Sequence, residues 1–396
     1  MPPANVRREI FVRSPGPGIA VMAYAYAVDR RGRYMISIEQ HWSRSDTIDQ
    51  AFLRGSEDFG MTWPKIGAKT VTGEKRAGGM WRKHPRGVWV DPVNGRAIDL
   101  WNEGTLENDD PLEGLRQWRI FAKLPNGKEG PIVHTGRGFN PEHPLPGVFL
   151  GKNSAMLGDQ TCRPIRFRDE VLLPVSIASL GKDGALANPG GGYTYQDTAV
   201  LHGKWSADAI EWRMSELIAG DPARSTRGMS EATIAEIADR RVLCVMRGSN
   251  DKRPELPGYK WYSISRDGGW RWSKPQPWTD TQGRNFFSPS SCSQLLAHST
   301  GRLYWIGNWT EENPRGNRPR YPLAIAEVDL RSGLVLRESA RAIDTLGPGE
   351  DPVLSISNFY AREDPWTRDL CVHATRLFAK PDAPWVGDAY LYRVTV

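Results

Sequence analysis

Histidine, tyrosine and arginine recur beside apolar stretches of this sequence, and together they can do one definable kind of chemistry. "MWRKHPRGVWV" places His84 just before an apolar strand. "GGGYTYQDTAV" places Tyr193 and Tyr195 on a glycine-rich approach to another. "DQTCRPIRF" places Arg163 at a third strand start, and Arg227 and Asn308 hold similar positions. His41, in "SIEQHW", joins the same set. An arginine can neutralise a sugar carboxylate and so acidify the adjacent C–H. A histidine or tyrosine can then remove that proton, and another can protonate the leaving oxygen. That is β-elimination at a uronate. The ordinary alternatives are a satisfied structural histidine at His84 or His41 and a strand aromatic at Tyr195.

Other chemistry finds less support. His84 has no spaced histidine or carboxylate partner of a metal motif, so no metal or cofactor is expected, and a structural metal is left open. Cys162, Cys244, Cys292 and Cys371 form no close pair and read as reduced core thiols. The formal charge of +6 is arginine-rich and spread along the chain. It fits a solvated surface or a cleft that attracts acidic ligands. Nucleic acid is not expected, because no familiar motif for it occurs. The apolar run 19–28 is too short to span a membrane and reads as a buried strand. With Met1 as the native start, the expected location is cytoplasmic. The sequence leaves the oligomeric state open.

The elements that must position these residues are short strands. Glycine and proline are plentiful, at 40 and 30 of 396 residues, and apolar runs alternate with turn residues throughout. The runs fall into six groups of about 60–75 residues each. The fourth is the clearest, with "SEATIAEI", "RRVLCVMRG", "YKWYSISRDGG" and "WRWSKPQPW". The sixth, from "VLSISNFYA" to "AYLYRVTV", is one strand short, and "REIFVR" near the N-terminus could supply it. The expectation is an all-β, six-bladed β-propeller, one domain over 1–396, closed by that N-terminal strand. The alternative is seven blades, with a hairpin hidden in the stretch from about Gly130 to Gly151.

Two segments share the pattern S-x-D-x-G-x-[TR]-W. One is Ser56, Asp58, Gly60, Thr62 and Trp63; the other is Ser265, Asp267, Gly269, Arg271 and Trp272. The aspartate can accept turn N–H groups, the glycine can take positive φ, and the tryptophan can pack beneath. The pair resembles the Asp boxes of sialidases and their relatives. The resemblance implies a turn between third and fourth strands. Function then belongs on the opposite face, with the second-to-third loops and the blade crossings.

The resemblance to sialidases also implies site residues. "SEATIAEIADRRVLCVMRG" is similar to the blade that carries a buried glutamate and a carboxylate-binding arginine, here Glu231 and Arg247. "NPRGNRPRYPLAIAEVD" is similar to the blade with another such arginine, here Arg320, with Arg318 as the alternative. Bidentate guanidinium forks suit a sugar carboxylate. The bland reading is that these arginines pair with acidic neighbours. "SIEQHWSRSDTIDQ" occupies the loop of the acid/base aspartate, so Asp49 or Asp46 could match, or could serve only the turn. Here His41 stands where many sialidases have an arginine. Arg13 is a poor match for a third arginine. The main departure is Ile356, which stands where sialidases place a nucleophilic tyrosine; Tyr360 follows four residues on.

That departure shifts the expected activity away from a covalent tyrosyl intermediate. The sequence is also similar to the rhamnosyl-glucuronate lyases among the propellers related to sialidases. The favoured expectation is an exo-acting lyase on an acidic glycan. It would use His84, His41, Tyr195 and Glu231, with Arg247, Arg320, Arg163 and Arg227 binding the carboxylate. The second is an exo-sialidase with rearranged catalytic residues, or another glycoside hydrolase, using Asp49 and Glu231. The third is a non-catalytic glycan- or protein-binding propeller.

Overall fold

Strands of β-branched and aromatic residues, cut every few residues by glycine, proline or aspartate, leave this chain little scope for helix. The computed structural model describes residues 1–64, 67–114, 118–132, 155–178, 187–380 and 385–396. Among them, helix is confined to three single 3-10 turns. Everything else that is regular lies in six antiparallel sheets, the blades of a six-bladed propeller. The stretch that might hide a seventh blade falls mostly on 133–154, outside the described residues.

The first blade runs outward from Ala20–Ala27 through Met35–Trp42 and Gln50–Ser56 to Ala68–Thr70. Its innermost strand, AVMAYAYA, is buried on both faces, and its alanines suit a crowded position near the axis. The second blade is built on Gly79–Val90, Ala97–Leu106 and Arg119–Lys123, with short strands at either edge. In the third, Ala155–Met156 and Ile165–Phe167 both pair with Glu170–Ile177, so the inner strand is broken in two. Asp197–Ser206 and Ala209–Met214 follow.

The fourth blade holds Ser230–Ile237, Arg241–Arg247, Lys260–Ser265 and Gln276–Pro277. The fifth holds Ser293–Ala297, Leu303–Asn308, Leu323–Val328 and Arg341–Asp344. The sixth takes Phe359–Glu363, Leu370–Thr375 and Ala389–Val394 from the end of the chain and Val6–Val12 from its beginning. Val6 pairs with Val394 and Ile10 with Tyr390, so the sheet joins the two ends. Hydrogen bonds across that seam exist only when the whole ring has formed.

Apolar side chains between blades supply the core. Trp278, Phe286, Trp305 and Trp309 interlock between the fourth and fifth blades, with Phe286 stacked on Trp309 at 4.1 Å. Each such aromatic removes a large apolar area from water, at roughly 25 cal/mol per Å². The two S-x-D-x-G segments form the same turn. In one, Asp58 Oδ1 accepts from the N–H groups of Met61 and Thr62, at 3.1 and 2.9 Å. In the other, Asp267 Oδ1 accepts from Trp270 and Arg271, at 3.2 and 3.0 Å. Both turns link a third strand to a fourth. They crowd one face and leave the other to the longer loops.

One glycine couples the first blade to the second. Gly87 sits at a bulge with φ of 79°, and a Cβ there would lie 2.3 Å from the Tyr26 ring. Tyr26 cannot swing away, because it is fully buried and its hydroxyl donates to Gln160 Oε1. Gly87→Ala is therefore expected to destabilise the fold by roughly 1–3 kcal/mol. Urea unfolding checks this; an unchanged midpoint would contradict the tight contact.

Candidate active site

A cavity of about 710 Å³ opens on the axis, at the face away from the two S-x-D-x-G turns, and residues from all six blades line it. Its walls are the second-to-third loops and the crossings between blades. The alternation of strand direction puts both kinds of segment at the same end of the ring.

Three arginines converge there. Arg227 precedes the inner strand of the fourth blade, Arg247 ends its second strand, and Arg320 precedes the third strand of the fifth. Arg227 donates to Thr194 Oγ1 at 2.8 Å. Arg247 donates from Nε to Ser290 Oγ at 2.9 Å and forms an ion pair with Glu231. Arg320 donates to the Ser290 carbonyl at 3.2 Å, and its Nε has no partner among the described residues. Gln196 Nε2, on the same cavity, is likewise without a partner. Burial and then the Arg247 charge push Arg227 and Arg320 down to about 10, so both stay cationic at neutral pH.

Carboxylates face them. Burial favours the neutral acid at Glu231, but Arg247 beside it wins and holds the group down to about 2. Burial likewise opposes the Arg247 charge, and Glu231 more than offsets it, so the arginine is raised. Glu231 takes a φ of 45° at a bulge in the inner strand, a strained conformation for a non-glycine residue. Its N–H is held by Ser176 Oγ at 3.0 Å. Asp159 stands close by and behaves in the opposite way. Burial raises its pKa, Arg86 works against that, and the Glu231 charge adds to the rise. Asn358 donates to Asp159 Oδ2 at 3.0 Å. The Cys292 thiol lies 3.3 Å from Glu231 Oε2 and 3.7 Å from Asp159 Oδ2. Two carboxylates in contact with one sulfur, driven apart in pKa, form an acid–base pair in arrangement.

The structure brings Glu231, Arg247, Arg320, Arg227 and His84 to the cavity, together with Arg318, Asp46 and Tyr193. It places four other expected residues elsewhere. Asp49 closes its own loop, accepting the Ser43 N–H at 2.7 Å; Asp46, with φ of 55°, is the aspartate at the cavity. His41 is bound to Glu39 Oε1 at 2.8 Å, while its neighbour Trp42 faces the cavity. Tyr195 is buried beside the glycine at 228, while Tyr193, Thr194 and Gln196 line the cavity. Arg163 is spent on the carbonyls of Arg86 and Val88, packed over the rings of Tyr26 and Tyr360. Each is displaced by strand alternation or by a local turn. Asn308 is structural too, donating to the carbonyls of Pro322 and Ile356.

Asp159, Arg86, Cys292 and Asn358 are site residues that sequence reasoning missed. Asp159 lies four residues before Arg163 in the same polar turn, and no motif marks it. Ile356 is fully buried, and Tyr360 lies tilted against Tyr26 with ring centroids 4.6 Å apart and is not among the residues lining the cavity.

No family model matches the sequence, and no curated protein matches it. Solved structures do match in fold. A protein of unknown function from Dyadobacter fermentans aligns over 98% of this chain and 99% of its own, with a TM-score of 0.60 and 12% identity. The NanB sialidase of Streptococcus pneumoniae aligns over 98% of this chain and 70% of its own, with a TM-score of 0.57 and 12% identity. The GH93 α-L-arabinofuranosidase of Fusarium graminearum, solved with arabinobiose, aligns over 98% of both chains, with a TM-score of 0.57 and 12% identity. The chain is thus a six-bladed propeller whose fold is similar to that of the sialidase and of the arabinofuranosidase.

His84 gives a prediction. It is buried against Trp118, with ring centroids 4.8 Å apart. Burial, and then Arg86 and Arg82, push it down from 6.5 to about 3. The unfolded chain therefore binds a proton at this residue between those values that the folded chain does not. Stability falls as pH drops through that window, by up to about 1.4 kcal/mol per pH unit for one site. His84→Gln is expected to flatten the fall between pH 6.5 and 5 when unfolding is followed in urea. Parallel curves for the two proteins would contradict the assignment.

Proposed function

We propose that this protein cleaves a glycosidic bond at a carboxylate-bearing sugar, by hydrolysis. The observation that carries the reading is the convergence of Arg227, Arg247 and Arg320 on a cavity that also holds the Asp159–Glu231 pair. The sugar carboxylate takes the guanidinium donors, Arg320 Nε among them. Asp159, whose pKa is raised by burial and by the Glu231 charge against the opposing Arg86, gives its proton to the leaving oxygen. Glu231, kept ionised by Arg247, stabilises positive charge at the anomeric carbon as the bond breaks. Through the shared thiol the two carboxylate oxygens are at most about 7 Å apart, short of the upper limit of roughly 9.5 Å for glycosidase pairs. With Ile356 in place of a tyrosine, water attacks the anomeric carbon without a tyrosyl intermediate, and the proton it loses restores the acid at Asp159. The fold neighbours that are glycosidases support this reading as analogy.

A second reading is favoured by one observation. His84 lines the same cavity, and burial there keeps its imidazole neutral. A neutral imidazole can remove the proton beside an arginine-neutralised uronate, which would make the enzyme a lyase.

A panel of acidic glycosides, read by ultraviolet absorbance and by product mass, separates the two. Hydrolysis gives a saturated sugar; elimination gives an unsaturated one that absorbs and weighs one water less. Asp159→Asn is expected to lower kcat by about 10²–10⁴-fold, with His84→Gln within a few-fold of wild type. The reverse pattern would favour elimination. In the wild type, kcat is expected to fall as pH rises through the elevated Asp159 pKa, because the acid must carry its proton. Binding without turnover across the panel would contradict both readings.

A further inference from the structure

We propose that a halide-sized anion binds between the sixth and first blades, on the face of the two S-x-D-x-G turns, held by Arg362 and His373. Arg362 lies on the inner strand of the sixth blade and His373 on the next. Tyr360 pairs with His373 and Arg362 with Cys371. Arg362 and His373 are therefore diagonal neighbours on one face of the sheet, within reach of each other's side chains. Arg362 is 8% exposed and His373 0%. Arg362 Nε and Nη1, and both ring nitrogens of His373, have no hydrogen-bond partner among the described residues.

The surroundings are mostly apolar and come from both blades. Phe11 stands edge-on to His373 at 4.8 Å and edge-on to Trp63 at 5.6 Å. A Cβ on Gly60 would lie 3.4 Å from Arg362 Nη2, 2.9 Å from Met35 Sδ and 3.4 Å from the Trp63 ring. The first S-x-D-x-G turn thus closes over the Arg362 guanidinium. The nearby carboxylate is Asp364, and it is already engaged. It accepts from Arg393 Nη1 at 2.8 Å and from the N–H groups of Trp366 and Thr367. Burial, and then Arg362 and Arg393, hold His373 well below its ordinary pKa, so the ring is neutral with one N–H to give.

A buried donor without an acceptor is costly, and a buried charge without a counter-charge more so. A small anion answers both. It accepts from Arg362 Nε and Nη1 and from the His373 N–H, and it balances the guanidinium. Water would accept the same hydrogen bonds and leave the charge uncompensated. The close apolar walls suit a halide rather than sulfate or phosphate. Bound there, the ion would join the blade that contains both chain ends to the blade that follows it.

Wild-type crystals grown in bromide test this directly. An anomalous peak is expected within hydrogen-bond reach of Arg362 and His373. In solution at fixed ionic strength, replacing gluconate by chloride is expected to raise Tm by about 3 °C or more, saturably. Sulfate at the same ionic strength is expected not to reproduce that rise. Arg362→Met, or His373→Phe if the first does not fold, is expected to abolish the response. The wild-type measurements stand without either variant. No anomalous peak together with a chloride-indifferent Tm would overturn the proposal, as would density with the scattering of water only.

Discussion

The ion pair between Glu231 and Arg247 organises the centre of this molecule. Both side chains are largely withdrawn from solvent, Arg247 13% and Glu231 18% exposed, where an unpaired charge would be costly. Their pairing ionises Glu231, and ionised Glu231 helps to raise the pKa of Asp159. Arg227 and Arg320, on the same cavity, have no ion-pair partner among the described residues. Breaking the Glu231–Arg247 pair would unbalance everything that faces the cavity. A buried pair of this kind is a poor source of net stability. Its value here lies in fixing which groups are charged.

The surrounding scaffold serves that balance. The fourth blade carries both partners, one on each of two adjacent strands, so the sheet sets their distance. Ser290, on the crossing to the fifth blade, accepts from Arg247 through its hydroxyl and from Arg320 through its carbonyl. Below them Lys260 is buried against the carbonyls of Pro289 and Ser291, and burial lowers it to about 7. A lysine that gives up its charge readily limits the repulsion among three arginines. The strained φ of Glu231 persists because the bulge, Ser176 and Arg247 together determine its position.

Much of this was legible in the residues. The two S-x-D-x-G turns indicated where third and fourth strands meet and hence which face to search. The resemblance carried by the fourth and fifth blades led to Glu231, Arg247 and Arg320, and all three reach the cavity. The misses have local causes. In a strand, adjacent residues face opposite ways, so a correct segment with the wrong parity selects the wrong side chain. His41 was named and Trp42 faces the cavity; Tyr193 and Tyr195 were both read on one glycine-rich approach, which is not a strand, and Tyr193 is the one at the cavity. Asp49 rather than Asp46 reflects a loop whose hydrogen bonds no pattern reveals. Asp159 was missed because the inner strand of the third blade is broken just there, and the residue falls in the gap.

The central claim is that water cleaves a glycosidic bond at a sugar held by the arginines. It is tested most directly by running the reaction in heavy-oxygen water on an acidic glycoside that the protein turns over. The account predicts a saturated product sugar carrying one heavy oxygen at its anomeric carbon. An unsaturated product with no heavy oxygen would contradict it.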